Sequence, residues 1–423
     1  MTSGSTTDSR RGELIRIAGD VFARAGYART SLRDVAAAAG ILTGSLYHHF
    51  PSKEALAIEL VSAYHADIDA VADHPRLDST DPLDRLVEFA ARVAEVVERH
   101  MAAVQMCKYD APTTATALGE LVRRDLAGLD HRWAVLLEDA RDAGRLRPEV
   151  DLATLRVVLR NRVFDLALPE VVVALPALVR ALCSLLLDGI AAVPVDPAGL
   201  DAAEPTGVAA GIVRAWTEGA RSADPHRREQ ILAAAGREFA RRGYEATTVR
   251  DIAQAVDIRP SSLYRHFASK QEILDAVMER FSRELLVGYE AVGRAPGTPL
   301  QRLDALLGLM AAAAARFGAE FVVTKDWWRT LDRHAGDAPP ADNAARLRLL
   351  EGLVADGVAA GEFRRPTDPA ALALALRSVM WVRLDETDTD PDAEAVARRH
   401  RFLRHSVLGG AAVRDGRVVP LPT

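Results

Sequence analysis

Residues 11–53, RGELIRIAGDVFARAGYARTSLRDVAAAAGILTGSLYHHFPSK, recur at residues 228–270 as REQILAAAGREFARRGYEATTVRDIAQAVDIRPSSLYRHFASK. The two stretches align at a constant offset of 217 residues without a gap. Identical pairs include Phe22/Phe239, Gly26/Gly243, Tyr27/Tyr244, Arg33/Arg250, Asp34/Asp251, Tyr47/Tyr264, Phe50/Phe267 and Lys53/Lys270. A duplication of this extent determines the organisation of the whole chain.

The same offset returns far downstream, where AGRLRPEVDLATL (residues 143–155) aligns with AGEFRRPTDPAAL (residues 360–372). The repeated unit is therefore nearly half the chain, much longer than the ~20–50 residues of a solenoid repeat. We interpret the chain as two homologous subunits joined end to end. Segment 194–225, punctuated by proline and glycine, predicts the linker and leaves room for a short helix inside it.

Length and composition limit the classes of protein open to this chain. Its 423 residues suggest about two to four domains, and 49% apolar with 26% charged residues excludes disorder as the dominant state. Two cysteines supply no disulfide framework, residues 1–10 carry no secretory signal, and proline and charges interrupt the apolar stretch 171–190. We therefore expect a cytoplasmic protein. The net charge of −6 excludes a wholly basic coat but not a local DNA-binding face.

Hydrophobic periodicity is helical along the chain. Aromatic residues make up only 5% of it, while alanine and leucine recur everywhere, which favours helix over strand. The apolar residues Leu14, Ile17, Ala18, Val21 and Phe22 follow the i, i+3, i+4, i+7, i+8 spacing of one buried helical stripe. The sequence contains no convincing alternating strand, and the predicted fold class is all-α.

The first copy of the repeat opens with the pattern helix, turn, short helix, turn, short helix. Ser31-x-x-Asp34 has the spacing of a capping box, in which the two side chains cap a helix start reciprocally, so a helix should start at Ser31. That helix is expected to run to Ala39, and Gly40 then permits a sharp turn. A third helix is expected over residues 43–49.

The second copy repeats the pattern with different residues at the turn. Thr248-x-x-Asp251 starts the equivalent helix, Asp257 takes the turn, and Pro260 sits where the first position of a helix tolerates proline. Two short helices joined by a tight turn, the second carrying exposed polar and aromatic residues, are typical of a helix-turn-helix.

A helix-turn-helix predicts which residues meet DNA. The major groove admits one α-helix, whose N-terminal residues touch base edges. The start of the preceding helix offers free N–H groups to phosphate; a tyrosine hydroxyl, or a lysine at the start of the following helix, suits phosphate as well. The predicted DNA-binding residues are Thr30, Ser31, Thr43, Gly44, Tyr47, His48, Lys53, Thr247, Thr248, Arg259, Pro260, Ser261, Tyr264, Arg265 and Lys270.

The strings TSLRDVAAAAG…GSLYHHFPSKEAL and TTVRDIAQAVDI…SSLYRHFASKQEIL resemble the N-terminal DNA-binding domain of TetR-family transcriptional regulators. Each combines a GY pair, an RDIA-like segment, LYxHF and SK at the correct spacing. The resemblance implies an all-α subunit with a three-helix head that binds DNA and a larger helical body. It further implies that the body binds a small effector, dimerises through its last two long helices, and belongs to a repressor that the effector releases.

The resemblance applied to both copies predicts the domains as head 10–56, body 57–193, linker 194–225, head 226–273 and body 274–410. Two-fold symmetry of a dimer matches palindromic DNA with half-sites about one turn, ~34–36 Å, apart. We hypothesise an intramolecular pseudo-dimer in which residues 151–168 and 176–191 pack against residues 368–384 and 392–408. A homodimer of whole chains is the alternative assembly.

The two recognition helices differ. Copy one has Leu42 and Thr43 where the family usually has a small polar residue and often a lysine, and leucine is a poor N-cap. Copy two has Arg259 in place of Leu42 and Arg265 in place of His48. Because arginine can bind phosphate or guanine, we predict that the heads read different bases and that the second binds more tightly. In the alternative, a ligand-sensing or scaffold protein of the same fold, one or both heads no longer bind DNA.

The bodies carry aromatic and sulfur-containing side chains that could line an effector cavity, although such residues at helical spacing also form ordinary core. The candidates are Met101, Met106, Tyr109, Phe164, Phe317, Phe321, Trp327, Trp328 and Trp381. Lys108 and Arg329 lie beside them in the sequence and could hold the acidic or CoA-like end of a large, apolar effector, or simply be solvated.

No motif indicates catalysis or a metal centre. The sequence lacks a glycine-rich phosphate loop, H-E-x-x-H, G-x-S-x-G and CxxC, and His48 and His49 have no cysteine or acidic partner at ligand spacing. We expect no enzyme activity, metal or cofactor. The sequence predicts a transcriptional regulator, a repressor released by a small-molecule effector, whose partner is double-stranded operator DNA and not a membrane. As a single-chain pseudo-dimer it would read an asymmetric operator.

Overall fold

The computed structural model describes residues 4–108, 116–166, 173–220, 227–244, 246–331, 341–381 and 393–413. The chain divides into two compact units, Met1–Cys183 and Ser184–Thr423. Within the described ranges the elements are helical, and the extended pairing is limited to an isolated antiparallel bridge between Ala191 and Phe363. The all-α prediction is confirmed.

The first unit is built from ten helices within its described residues, and the last of them ends in the second unit. They are α1 (Gly4–Ala25), α2 (Leu32–Ala38), α3 (Thr43–His49), α4 (Lys53–Asp73), α5 (Pro82–Arg99), α6 (Met101–Lys108), α7 (Thr116–Val122), α8 (Ala127–Asp142), α9 (Leu152–Asp165) and α10 (Leu175–Asp188). Helices α1, α2 and α3 form the head, and α4 runs from the head into the body, where it packs on α5 and α8. Phe89 and Trp133 meet edge-to-face in the body core with ring centroids 5.0 Å apart.

The second unit repeats this order after two additional helices. Its helices are α11 (Pro197–Asp201), α12 (Glu204–Ala220), α13 (Arg227–Arg242), α14 (Val249–Ala255), α15 (Pro260–Leu263), α16 (Lys270–Arg294), α17 (Pro299–Arg316), α18 (Gly318–Leu331), α19 (Ala341–Ala359), α20 (Pro369–Met380) and α21 (Ala393–Leu403), followed by a π-helical segment, Arg404–Gly409. Helices α13, α14 and α15 form the second head, and α16 joins it to the body helices α17 and α19.

Most of the predicted linker is ordered helix. Helix α12 packs along α16 and α17. Its Trp216 is buried, donates a hydrogen bond from Nε1 to Glu284 at 3.1 Å, and meets the ring of Phe317 edge-on at 5.1 Å between centroids. The sequence allowed a short helix here; the structure gives one of 17 residues that contributes to the core of the second unit.

Two glycines of the second unit face each other where its first residues cross its last ones. The amides of Ile190 and Ala191 donate to the carbonyls of residues 407 and 408, and the amides of residues 411 and 412 donate to the carbonyls of residues 186 and 187, at 2.7–3.1 Å. Gly189 and Gly410 both have positive φ, +70° and +74°, and a Cβ on either would overlap the backbone of the opposite segment. Only glycine fits these two positions.

Within the described ranges, no single helix has both the length and the mean hydropathy to cross a bilayer. Helix α17 reaches that length and hydropathy only together with the start of α18, and the chain bends by 92° between the two.

Candidate nucleic-acid interface

Capping boxes start the second helix of both heads, as predicted. The amide of Ser31 donates to Asp34 Oδ2 at 2.8 Å and the amide of Asp34 donates to Ser31 Oγ at 3.3 Å; the Thr248–Asp251 pair repeats both bonds at 2.8 and 3.2 Å. Hydrogen bonds from the capping hydroxyl and amide lower the pKa of each aspartate below its usual value. The two helix starts therefore have the same local geometry.

The turns between the second and third helices also match. Gly40 adopts φ +64° in the first head and Asp257 adopts φ +51° in the second. Aspartate is among the few residues other than glycine that tolerate this left-handed region. The two turns thus place their recognition helices through the same backbone conformation with different residues.

The recognition helices are α3 in the first head and α15 in the second, and each segment has both buried and exposed side chains. Leu46 and Leu263 are buried anchors, whereas Tyr47 and Tyr264 are 54% and 55% exposed. Other predicted DNA-binding residues with exposed side chains or, for glycine, an exposed position are Ser31, Gly44, His48, Thr248, Arg259, Pro260, Ser261 and Arg265, and Thr43 is half-buried. These residues are accessible in each head, and their contact with DNA stays a prediction.

Two predicted contacts, Thr30 and Thr247, are buried instead. Thr30 Oγ1 donates to the carbonyl oxygen of Gly26 at 2.9 Å, and Thr247 Oγ1 donates to that of Gly243 at 2.8 Å. Both hydroxyls close the turn after the first helix of their head. Their side chains are therefore not available to phosphate, and the prediction for these two side chains is corrected.

The lysines at the start of α4 and α16 are also turned into the head. Lys53 Nζ donates to the carbonyl of Tyr27 at 2.9 Å and lies 4.4 Å from the centre of its ring. Lys270 Nζ donates to the carbonyls of Tyr244 and Thr247 at 2.7 and 3.0 Å and lies 4.3 Å from the centre of the Tyr244 ring. A lysine placed this way ties the helix start to the preceding turn of the head, and we expect this structural role in place of the predicted phosphate contact.

Sequence reasoning missed an arginine that both heads carry at the same aligned position. The guanidinium of Arg11 lies 4.4 Å from the centre of the Phe50 ring, and that of Arg228 lies 4.8 Å from the centre of the Phe267 ring. The signal was present, because this arginine opens both of the aligned stretches. The four rings Tyr27, Phe50, Tyr244 and Phe267 are buried and belong to the cores of the two heads.

The second body brings together several of the predicted effector residues. The ring of Phe281 lies 5.4 Å from the rings of Phe317 and Phe321 and 5.8 Å from that of Trp381. Phe321 and Trp381 are 4.6 Å apart. These four rings are called here the aromatic cluster. Trp327 is buried and donates from Nε1 to Asp275 at 3.2 Å, and the side chain of Trp328 lies outside the described residues.

One buried cation borders the aromatic cluster. Arg346 is 5% exposed, and its guanidinium lies 5.9 Å from the centre of the Trp381 ring. Within the described part of the chain its donors meet neutral oxygens, those of Ser282 and Asn343, at 3.2–3.4 Å. Burial lowers its pKa from the usual value. Among the described residues no carboxylate forms an ion pair with it. A buried charge of this kind is stabilised by an anion.

The first body places its candidates differently. Met106 and Phe164 are buried and Met101 is half-buried, while Tyr109 lies outside the described residues. Lys108, considered as an anchor for an acidic effector, has Asp165 as its own counter-ion at 2.6 Å and lies 5.4 Å from the centre of the Phe164 ring. Within the described ranges no group of three or more His, Cys, Asp or Glu side chains is arranged to hold a metal ion in either body.

Comparison with known proteins places the heads in one family. The family model described as "Bacterial regulatory proteins, tetR family" matches residues 14–60 and 231–277. The HTH-type transcriptional repressor KstR2 of Mycolicibacterium smegmatis is 31% identical over 193 residues, 45% of this chain and 93% of that protein. KstR2 of Rhodococcus jostii is 32% identical over 45% of this chain and 94% of its own length.

A solved structure is also similar to part of this chain. The ketosteroid transcriptional regulator KstR2 of Mycobacterium tuberculosis is 28% identical and aligns with a TM-score of 0.40 over 45% of this chain and 97% of its own. A single relative thus accounts for somewhat less than half of this chain, the length of one repeat.

Proposed function

Because this chain belongs to the TetR family of bacterial regulatory proteins, we propose that it is a cytoplasmic transcriptional repressor carrying two family subunits in one chain. Its two heads would read the unlike half-sites of one operator. Two proteins that match this chain over 93% and 94% of their own length are named as HTH-type transcriptional repressors, which supports repression. Neither catalysis nor a cofactor forms part of this proposal.

The observation that carries the proposal is the contrast between scaffold and surface in the two heads. The capping boxes, the left-handed turns, the buried threonines and the half-buried lysines match from one head to the other. At the start of the recognition helix, however, Leu42, Thr43 and Gly44 stand where the second head has arginine, proline and serine. Two heads that share this cap and turn geometry, with recognition helices of seven and four residues, would recognise different bases through their different side chains.

A single chain would supply both heads of this regulator. The hydrogen bonds between residues 186–191 and residues 407–412 form inside the second compact unit of one chain, which supports an assembly made by a single chain. The predicted helices 151–168 and 176–191 of one copy and 368–384 and 392–408 of the other would form its interface. A mass near 45.7 kDa in dilute solution is the expected result; a two-chain species at every dilution would contradict it.

Footprinting of the purified protein on the DNA flanking its own gene tests the regulator proposal. Protection of two half-sites with different sequences is the expected result. Protection of one half-site would favour the alternative in which the first head is a passive partner. No protection at low salt, where phosphate contacts are strongest, would contradict the proposal and favour a ligand-sensing protein that kept the fold.

Effector release would pass through α18. Its Glu320 receives a hydrogen bond from Arg280 at 3.3 Å and lies beside Gly236 of the head helix α13. The next residue, Phe321, belongs to the aromatic cluster. A ligand that displaced the aromatic cluster would therefore act on the helix that contacts the head, and it would release DNA if it preferred the displaced state.

Arg346 supports an acidic effector for the second body. An apolar molecule with an acidic end would place its hydrocarbon on the aromatic cluster and its charge on the guanidinium. Oleate, oleoyl coenzyme A and oleyl alcohol are suitable probes, with tryptophan fluorescence and release of operator DNA as readouts. The acidic compounds should bind wild-type protein better than the alcohol, and Arg346→Met should remove that preference; equal binding of all three would contradict the assignment.

A further inference from the structure

Leu42 is the most exposed of the large hydrophobic side chains of the described chain, with 81% of its surface accessible. It occupies the N-cap of α3 and makes no side-chain capping hydrogen bond. Serine, threonine, asparagine or aspartate at this position would stabilise the helix, and leucine does not. Neither the core nor the stability of the helix therefore explains a leucine here.

Gly44 lies two residues further along the chain, in α3, and no contact within the protein requires a glycine there either. A Cβ added to it would meet nothing within 4 Å, and its φ is not in the positive range where glycine is needed. Glycine inside a helix costs about 1 kcal/mol relative to alanine. The space beside Leu42 is thus kept open toward the outside of the protein, which suits the close approach of another molecule.

The second head shows that the scaffold does not require these residues. It holds Arg259 and Ser261 at the two equivalent positions, on a turn and capping box of the same geometry. The leucine and the glycine are therefore better explained by the molecule that the first head contacts than by its own fold.

We propose that Leu42 reads a thymine in the half-site of the first head by packing on its C5 methyl group, and that Gly44 lets the helix approach the base closely enough for that contact. This inference rests on the proposed DNA-binding function. The thymine methyl is the apolar group that base pairs present in the major groove, where the start of a recognition helix lies. The first half-site is then recognised by an apolar contact, in contrast to the arginine of the second head.

Replacement of thymine by deoxyuridine tests the contact, because it removes only the methyl group. In an operator found by footprinting, each thymine of the first half-site is replaced in turn and affinity is measured. One replacement should weaken wild-type binding about fourfold, the value of one buried methyl group. Leu42→Ala should weaken binding to the thymine operator at least as much and should no longer distinguish deoxyuridine from thymine at that position.

Two further variants define the outcome. Leu42→Met, which retains an apolar side chain, should keep sensitivity to deoxyuridine. Gly44→Ala should bind the first half-site more weakly although its thermal stability is equal or higher. A Leu42→Ala protein that keeps full affinity and the same sensitivity would overturn the inference, as would a footprint confined to the second half-site. Absence of any operator binding by wild-type protein would contradict the proposed function itself and is distinguishable from both results.

Discussion

Arg404 holds the carboxylate of Asp304 with two hydrogen bonds, from Nε at 2.7 Å and from Nη2 at 2.6 Å, in a position with no solvent exposure. His400 approaches the same carboxylate at 3.4 Å, and Arg404 also pairs with Asp201 at 2.7 Å. The pair ties α17 to the π-helical segment and to the end of α11. Burial alone would raise the pKa of Asp304, but the hydrogen bonds and positive charges of His400 and Arg404 hold it below its usual range.

Asp304→Asn should destabilise the second unit by about 3–5 kcal/mol, because it leaves the half-buried guanidinium of Arg404 with less compensation. Urea unfolding followed by tryptophan fluorescence measures the loss. Asp201→Asn is the matched control: its carboxylate is 65% exposed, so its removal should cost at most about 1 kcal/mol. Equal losses in the two variants would show that the buried pair contributes no more to the free energy of unfolding than the exposed one.

Gly189→Ala should destabilise the second unit by about 2–5 kcal/mol, through left-handed backbone strain and overlap with the crossing segment. Gly361→Ala provides the control, since its φ is +74° but a Cβ would meet nothing within 4 Å; only the backbone cost of about 1–2 kcal/mol is expected. Calorimetric melting of the two proteins separates the contributions, and identical melting temperatures would argue against the tight crossing.

The first unit should lose stability as the pH falls from about 7.5 to 5.5. Burial lowers the pKa of His65, with the charge of Arg124 adding to the effect, so the folded unit takes up this proton less readily than the unfolded chain does. Acid therefore favours the unfolded state. Calorimetry of His65→Gln should show a flatter pH profile, whereas the exposed His131→Asn should retain the wild-type profile; two parallel profiles for His65→Gln and wild type would exclude this histidine as the cause.

Arg259→Ala should lower affinity for an operator about 5- to 150-fold if the guanidinium makes a bidentate base contact. The loss should be confined to one position of the second half-site, and replacing that base should no longer matter in the variant. Arg294→Ala removes an exposed arginine at the end of α16 and serves as the charge control. An unchanged footprint and affinity for Arg259→Ala would mean that the recognition helix is misassigned.

Lys270→Met should lower the melting temperature of the second head and leave the salt dependence of DNA binding unchanged. It removes two charge-assisted hydrogen bonds to carbonyl oxygens, each worth about 1.5–3 kcal/mol. A contact of Lys270 with phosphate would instead reduce the slope of log K against log salt by about one. Lys53→Met in the first head should behave in the same way, which provides an internal repeat of the measurement.

The sequence predicted the architecture well because its signals are local. The hydroxyl and acidic residues of a capping box lie three positions apart, and the turn needs Gly40 or Asp257 for its backbone alone. Both features can be recognised without knowledge of distant contacts. The 217-residue offset then assigned the second copy the same elements as the first, and α2 and α3 begin and end within a residue of the expected positions.

The sequence did not predict which polar side chains turn inward. A lysine at the start of a helix can reach phosphate or fold back on the preceding turn. For Lys53 that choice depends on the carbonyls of Tyr27 and Ala28, which lie 26 and 25 residues away. The helix α12 was underestimated for a similar reason, since the burial of Trp216 against Phe317 depends on a residue 101 positions later. Arg346 carried no sequence signal.

The crossing of Gly189 with Gly410 also bears on how such a protein tolerates mutation. In a dimer of identical chains, one base change at this glycine would alter both sides of the crossing together. Here the two sides are separate codons, so a single change affects one side and leaves the other glycine in place. The same holds for Leu42 and Arg259: in the proposed regulator, each half of the operator would be matched by a separate codon, and selection could act on one without changing the other.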